Sequence, residues 1–253
     1  LGIEISKKGA KGEGDIPDLE AELQKYRGNA LNFAQVALAL GRLYLKPGKD
    51  GQPGESNPDK FCGLVGDLDE LERVFAAGDG KNKEWEHGQI LRILALLYTE
   101  AGEVKRIVTG RLAQRESKEN LDRASEYYTR AIEVLDKKHP REVKIQGLRS
   151  KLATTLLELD RHQEALQLAQ KAMLYDALAY DNHEVLGDVY AERGDFEDAI
   201  DVWKEAILRR DAMPLDSYGP ELHVKIGKSY VRLAQLHSEM CLKEGKNQEA
   251  VNL

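Results

Sequence analysis

Apolar residues recur through much of this chain at intervals of three and four, the spacing that gives a helix one apolar face. Short runs rich in Gly, Asp and Pro lie between these segments and predict turns. Leu19 and Leu23 form the first such face, on a short helix that begins near Pro17 and ends at Gly28. We expect residues 1–28 to be a mobile Gly- and Lys-rich lead-in followed by this helix.

In the second half of the chain, the packing residues return at an offset of 34 positions. Leu186-Gly187-x-x-Tyr190 is followed by Ala199, and the bulky Trp203 lies four residues after that alanine. The equivalent residues one unit earlier are Leu152, Ala153, Leu156, Asp160, His162, Ala165, Ala169 and Ala172. This period resembles the tetratricopeptide repeat, a pair of helices A and B. The resemblance implies an all-α fold, a right-handed superhelical solenoid of about five helix pairs.

The helix A signature appears three more times in the chain. These occurrences are Leu40-Gly41-x-x-Tyr44, Leu94-Ala95-x-x-Tyr98 and Ile226-Gly227-x-x-Tyr230. The repeats are therefore predicted near residues 34–79, 88–138, 146–179, 180–213 and 220–253, in one array that covers 29–253. Because Leu253 falls inside the fifth repeat, we expect that repeat to be truncated and the sequence to be either a fragment of a longer protein or a protein with disordered ends.

Small residues mark the positions where helices are predicted to approach closely. On helix A this position is a Gly or Ala, as at Gly41 and Gly187, and on helix B it is an Ala, as at Ala124, Ala165 and Ala199. The larger residues around them fill the space on either side, and this packing supplies most of the stability of such short helices.

Insertions between the two helices make three of the repeats irregular. Residues 46–60 are rich in Pro and Gly and are predicted to be a non-helical loop. Residues 104–120 are charged and lack Pro, so they predict an extra helix or a longer helix A. Residues 224–242 predict one long helix, and a second helix is expected to start near Gly245.

The bulk composition narrows the class of partner and the compartment. A net charge of −7 and a pI near 5.5 argue against a nucleic-acid partner, which favours a basic protein face. No apolar run is long enough to span a membrane, and neither a signal peptide nor an N-x-[ST] sequon is present. Cys62 and Cys241 are expected to be free thiols. We therefore expect a soluble protein of a reducing intracellular compartment, the cytoplasm or an organelle.

The signatures of catalytic and cofactor sites are missing from the sequence. The histidines include no H-E-x-x-H and no pair spaced i, i+4, and Gly48-Lys49 is followed by Asp50 where a phosphate-binding loop needs Ser or Thr. No G-x-S-x-G nucleophile motif is present. The acidic residues between Asp67 and Glu70 fit a helix N-terminus better than a calcium loop. We expect no enzymatic activity, no cofactor and no metal site.

The resemblance places the ligand of such an array in a concave groove lined by helix A. Helix A of the fourth repeat carries four carboxylates there, and like charges at i, i+4 cost a few tenths of a kcal/mol per pair. They predict either a surface for a Lys- or Arg-bearing peptide or an ordinary solvated face. The candidate partner-binding residues are Asp181, Glu184, Asp188, Glu192, Arg92, Lys228, Arg232, Leu157 and Val224.

Other groove positions in the first two repeats hold Gln35, Leu38, Arg42, Leu45, Lys46, Gln89, Leu96, Thr99 and Glu100. Chaperone-binding tetratricopeptide domains use Lys and Asn at such positions to clamp a C-terminal carboxylate. The corresponding residues in this chain are Ser150 and Thr154, Arg92 and Leu96, or Glu184 and Asp188, so that clamp is not predicted.

The sequence therefore predicts a non-enzymatic scaffold or adaptor, a subunit or assembly factor of a larger complex, that binds a protein or peptide in its groove. Apolar groove residues would anchor the partner, and the charges would orient it. Two alternatives stay open: a chaperone of basic clients such as histones or ribosomal proteins, and the targeting domain of a larger enzyme.

Overall fold

A computed structural model describes residues 16–45, 57–77, 83–107, 111–137 and 143–211, and isolated residues between 230 and 238. The described chain is all-α, as predicted. Its helices are α1 (Ile16–Lys25), α2 (Ala30–Leu45), α3 (Pro58–Ala77), α4 (Glu84–Ile107), α5 (Arg111–Asp136), α6 (Val143–Glu158), α7 (His162–Tyr175), α8 (Tyr180–Arg193) and α9 (Phe196–Asp211). None of these helices is both long enough and apolar enough to cross a bilayer.

The helices form two compact units that meet at Arg161 and His162 in the sequence. In the first unit, α2 packs against α1, α3 and α4, and α4 packs against α3 and α5. Helix α6 packs against α5. Each helix therefore contacts its neighbours along the chain, the pattern of a helical repeat.

The second unit follows the same rule with fewer helices. Helix α8 packs against α7 and α9. Helix α8 carries the fourth helix A signature, and α9 is the helix B that follows it. The predictions for residues 220–253, including the fifth repeat and its second helix, lie almost entirely outside the described residues.

Small residues lie at the helix contacts where the sequence predicts them. The helix B residues Ala124, Ala165 and Ala199 have no exposed surface. Gly41 on α2 faces α4, because a Cβ at Gly41 would come within 2.5 Å of Leu97 Cδ2. Only a glycine leaves room for that side chain at its observed position.

Two insertions differ in part from their predictions. In the described part of 104–120, α4 is prolonged to Ile107, as one alternative predicted, and the residues from 111 onward belong to α5 rather than to an extra helix. The prediction that all of 46–60 is non-helical is wrong for its last residues, because α3 begins at Pro58. Asn57 Oδ1 accepts a hydrogen bond from Lys60 N at 3.0 Å, and Pro is compatible with a first helical turn.

The early start of α3 also overturns the prediction for the acidic run from Asp67 to Glu70. These residues lie in the middle of α3 rather than at its N-terminus. A helix dipole therefore does not account for them, and Asp69 instead accepts a hydrogen bond of 2.5 Å from the Tyr127 hydroxyl of α5.

The turns after α6 and α8 share a left-handed residue at equivalent repeat positions. Asp160 has φ 60° and Gly194 has φ 87°. At each turn the next amide bonds back into the helix: Arg161 N to Leu156 O at 2.8 Å, and Asp195 N to Tyr190 O at 2.9 Å. This geometry satisfies carbonyls at the helix end, and glycine adopts it at least cost.

Candidate interaction surfaces

The four predicted carboxylates of α8 lie at groove positions that packing leaves at least partly exposed. Asp181 and Glu192 are exposed, and Glu184 and Asp188 are partly buried. Leu186, on the same helix, is buried. Helix α8 therefore buries its apolar side within the second unit and keeps an acidic stripe, which we define as Asp181, Glu184, Asp188 and Glu192.

Part of the acidic stripe has a structural role. The buried Tyr180 hydroxyl donates a hydrogen bond of 2.7 Å to Glu184 Oε2. Burial raises the pKa of Tyr180, and the bond to Glu184 and the charges of Glu184, Asp181 and Asp188 raise it further. Three members of the stripe thus act on one phenol, and Glu184 is bonded to it.

In the first unit, the groove positions of α2 and α4 lie side by side. The guanidinium of Arg42 on α2 contacts Glu100 on α4, with Nε and Nη2 at 2.7 and 2.6 Å from Oε1. Both residues were predicted groove positions of successive repeats, and this ion pair joins them. We call this surface the α2–α4 face, and define it by Leu38, Arg42, Leu45, Gln89, Arg92, Leu96, Thr99 and Glu100.

Arg92 is the predicted site residue on the α2–α4 face. Its side chain is partly buried, and its Nε donates a hydrogen bond of 3.0 Å to Gln89 Oε1. Burial lowers the pKa of Arg92; Tyr128 opposes that shift, and the positive charge of Arg42 adds to it. Arg92 remains cationic at any physiological pH.

The remaining site predictions fall elsewhere. Leu157 lies partly buried on α6. Val224, Lys228 and Arg232 lie outside the described residues, so their assignment to a partner site remains a prediction.

Sequence reasoning missed a polar cluster between α3, α4 and α5. Glu72 is only 5% exposed, its Oε1 lies 2.8 Å from His87 Nε2, and it pairs with Arg130. Burial raises the pKa of Glu72 and the bonds from Arg130 and His87 lower it, with a net lowering below 4.5. The stacked rings of Tyr98 and Tyr127, 5.6 Å apart between centroids, continue the cluster.

A constant sequence offset relates the polar pairs between the first two repeats. Equivalent helix A residues of these repeats, such as Tyr44 and Tyr98, are 54 positions apart in the chain. The polar pairs are all separated by 58 positions, which for the helix A pair means that Arg42 contacts a residue one helical turn beyond its repeat equivalent. The pairs are Arg42 with Glu100, Asp69 with Tyr127, and Glu72 with Arg130. Complementary polarity at this offset is a signal that the sequence contains.

An open cleft of about 590 Å³ lies between α1, α2 and α3. Leu23, Leu40 and Leu64 contribute apolar walls. At its rim, Glu20 Oε1 accepts hydrogen bonds from the Tyr44 hydroxyl at 2.6 Å and from Lys60 Nζ at 2.7 Å. Glu20 of α1 is therefore hydrogen-bonded to both α2 and α3.

The described residues contain no group of three His, Cys, Asp or Glu side chains positioned to hold a metal ion. Cys62 is an exposed free thiol on α3, and Cys241 lies outside the described residues.

No protein-family model and no curated protein matches this sequence. Among solved structures, it is similar to MamA AMB-1 at 19% identity, with 84% of this chain and 96% of that chain covered and a TM-score of 0.45. A second structure of MamA aligns at 15% identity over 84% of this chain and 98% of that one, with a TM-score of 0.40. BtubC (BKLC) from P. vanneervenii aligns at 17% identity over 82% and 93%, with a TM-score of 0.39. TM-scores this low assign no function.

Proposed function

We propose that this protein is a non-enzymatic scaffold or adaptor of the tetratricopeptide type, which binds partner polypeptides on the helix A faces of its repeats. The observation that carries the proposal is the division of helix α8 between a buried side and an exposed side. On α8, Leu186, Gly187 and Val189 are buried, whereas Asp181 and Glu192 are exposed. Packing explains the burial of the first set, whereas the second set is exposed to solvent.

The helix A faces also offer apolar contacts. Leu38 and Leu45 on α2 and Leu157 on α6 are only partly buried, although packing does not require leucine at groove positions. Apolar anchors of this kind supply binding energy, and charged neighbours supply orientation and association rate. The proposed ligand of the acidic stripe is a protein segment that carries Lys or Arg.

The experiment is affinity purification from the native source, in which the wild-type chain is compared with a charge-reversed variant. Replacing Asp181, Asp188 and Glu192 by lysine reverses the stripe but keeps the bond between Tyr180 and Glu184. A stoichiometric partner that binds the wild type and is lost from the variant supports the proposal.

A matched control makes the same charge change on a helix B. Asp122, Glu126 and Glu133 are exposed on α5, and their replacement by lysine is expected to leave binding unchanged. Helical circular dichroism of both variants checks that they fold. If the partner survives reversal of the stripe, or is lost equally in the control, the acidic stripe is not a binding surface.

A further inference from the structure

We propose that the α2–α4 face binds a partner segment through an internal Glu or Asp side chain that pairs with Arg92. This inference deepens the proposed function, because it names the chemistry of a partner for the first unit, whereas the acidic stripe lies in the second. It rests on three features of the face: an uncompensated cation, the partial burial of that cation, and apolar neighbours.

The positive charge of Arg92 is not compensated by any carboxylate among the residues that the structure describes. The one hydrogen bond of its guanidinium within those residues goes to the neutral amide of Gln89. The nearby cation Arg42 is neutralised by Glu100. Pairing Arg42 with Glu100 therefore leaves one net positive charge on this face, located at Arg92.

Partial burial makes that charge more effective as a binding group. Arg92 lies near Tyr128, which is only 1% exposed, and burial is the main reason that its pKa is lowered. A cation that has lost part of its hydration gains more from an anionic ligand than one in open water. Because Nε is bonded to Gln89, the two Nη groups provide the donors for a carboxylate.

The surroundings of Arg92 favour, as its ligand, the carboxylate of a side chain within a peptide over the carboxylate of a chain terminus. Leu38 and Leu45 lie on α2 on either side of Arg42, one turn towards each end of the helix, and both are partly exposed. A segment that crosses the face can therefore place apolar residues before and after its carboxylate. A single uncompensated cation also matches the single charge of Glu or Asp rather than the double charge of a phosphate.

The test is selection of short peptides by the full chain from a random library, prepared once with amidated and once with free C-termini. We expect the wild type to enrich Glu or Asp at one internal position with apolar residues on both sides. The affinity of a selected peptide should fall about ten-fold when its acid is replaced by the amide, and equally with Arg92→Gln. Arg92→Lys keeps the positive charge but lacks the planar guanidinium, so its affinity for the peptide should lie between that of the wild type and that of Arg92→Gln.

Arg115→Gln is the matched control, because Arg115 is an exposed arginine on α5 whose loss changes the net charge by the same amount. It should leave the selection unchanged. A purely structural role for Arg92 would lower the unfolding midpoint of Arg92→Gln and leave the acidic preference intact, and that result overturns the proposal.

Other outcomes separate this inference from the proposed function. Selected peptides without an acidic preference, or with acid only at a free C-terminus, overturn the pairing with Arg92 while the scaffold function stands. If Arg92→Gln retains the preference, the acid binds elsewhere. If the chain selects no peptide and the native partner is unaffected by reversal of the acidic stripe, both proposals fail.

Discussion

Replacing Gly187 by alanine tests whether the glycine of the helix A signature is required for packing. A Cβ at Gly187 would come within 2.5 Å of Cδ1 and 2.9 Å of Cε2 of Trp203. These atoms belong to a rigid indole on α9, so the whole ring must move or α8 and α9 must separate. Overpacking of this kind costs about 1–3 kcal/mol.

The helix propensity of alanine opposes this packing cost. Removing a glycine from a helix interior stabilises by about 1 kcal/mol, so the net expectation for Gly187→Ala is a loss of about 0–2 kcal/mol. Gly66 gives the reference, because it is exposed inside α3 and nothing lies within 4 Å of an added Cβ. Gly66→Ala should therefore stabilise by about 1 kcal/mol.

The assay is urea unfolding of both variants, followed by far-ultraviolet circular dichroism. The difference between the two substitutions, about 1–3 kcal/mol, is the packing cost at Gly187 alone. In a Trp203→Leu background, Gly187→Ala should cost less than it does in the wild type, because a smaller side chain on α9 makes room for the methyl group. If Gly187→Ala stabilises as much as Gly66→Ala, the packing explanation is refuted.

Two further predictions concern the polar cluster and the helix ends. Glu72→Gln should cost about 1.5–3 kcal/mol near neutral pH, because it removes the carboxylate shared by Arg130 and His87. Since the folded pKa of Glu72 is lowered, this stability is present above the unfolded pKa and lost as the pH falls through the folded one. Urea midpoints against pH should show that slope in the wild type, and an equal slope in Glu72→Gln would contradict it. Asp160→Gly should stabilise by up to about 1 kcal/mol and Gly194→Ala should destabilise by about 1 kcal/mol in thermal unfolding, because both positions have positive φ; no change in either would contradict this reasoning.

The sequence was sufficient to predict the helices and their packing residues. Gly41, Gly187 and the helix B alanines are predictable because each serves one local requirement, the close approach of two helices. The predicted start of α3 is too late, because the Pro and Gly content of 46–60 favours a loop when it is averaged over the whole segment. The N-terminal capping bond of Asn57 and the tolerance for Pro58 in a first turn together extend the helix into that segment.

The polar contacts between repeats were not predicted, for a geometric reason. Which residues face each other across two repeats depends on how far one helix pair is shifted along the next. The irregular first repeat gives no regular period from which to derive that shift. Once α2 and α4 are positioned, a one-turn displacement accounts for the pair of Arg42 with Glu100, and Glu72 with Arg130 has the same separation of 58 positions.

A charge at a predicted groove position is ambiguous until its neighbours are known. Glu184 was a candidate partner-binding residue and Arg42 occupies a predicted groove position, but Tyr180 bonds to the first and Glu100 neutralises the second. Arg92 differs from both, since its one hydrogen bond among the described residues is to a neutral amide. Removing the charge of Glu184 breaks its bond to the buried Tyr180, whereas removing the charge of Arg92 breaks, within the described part of the chain, only a bond to a neutral amide. Variants at Arg92 that keep their unfolding midpoint and lose a ligand therefore distinguish a binding charge from a structural one.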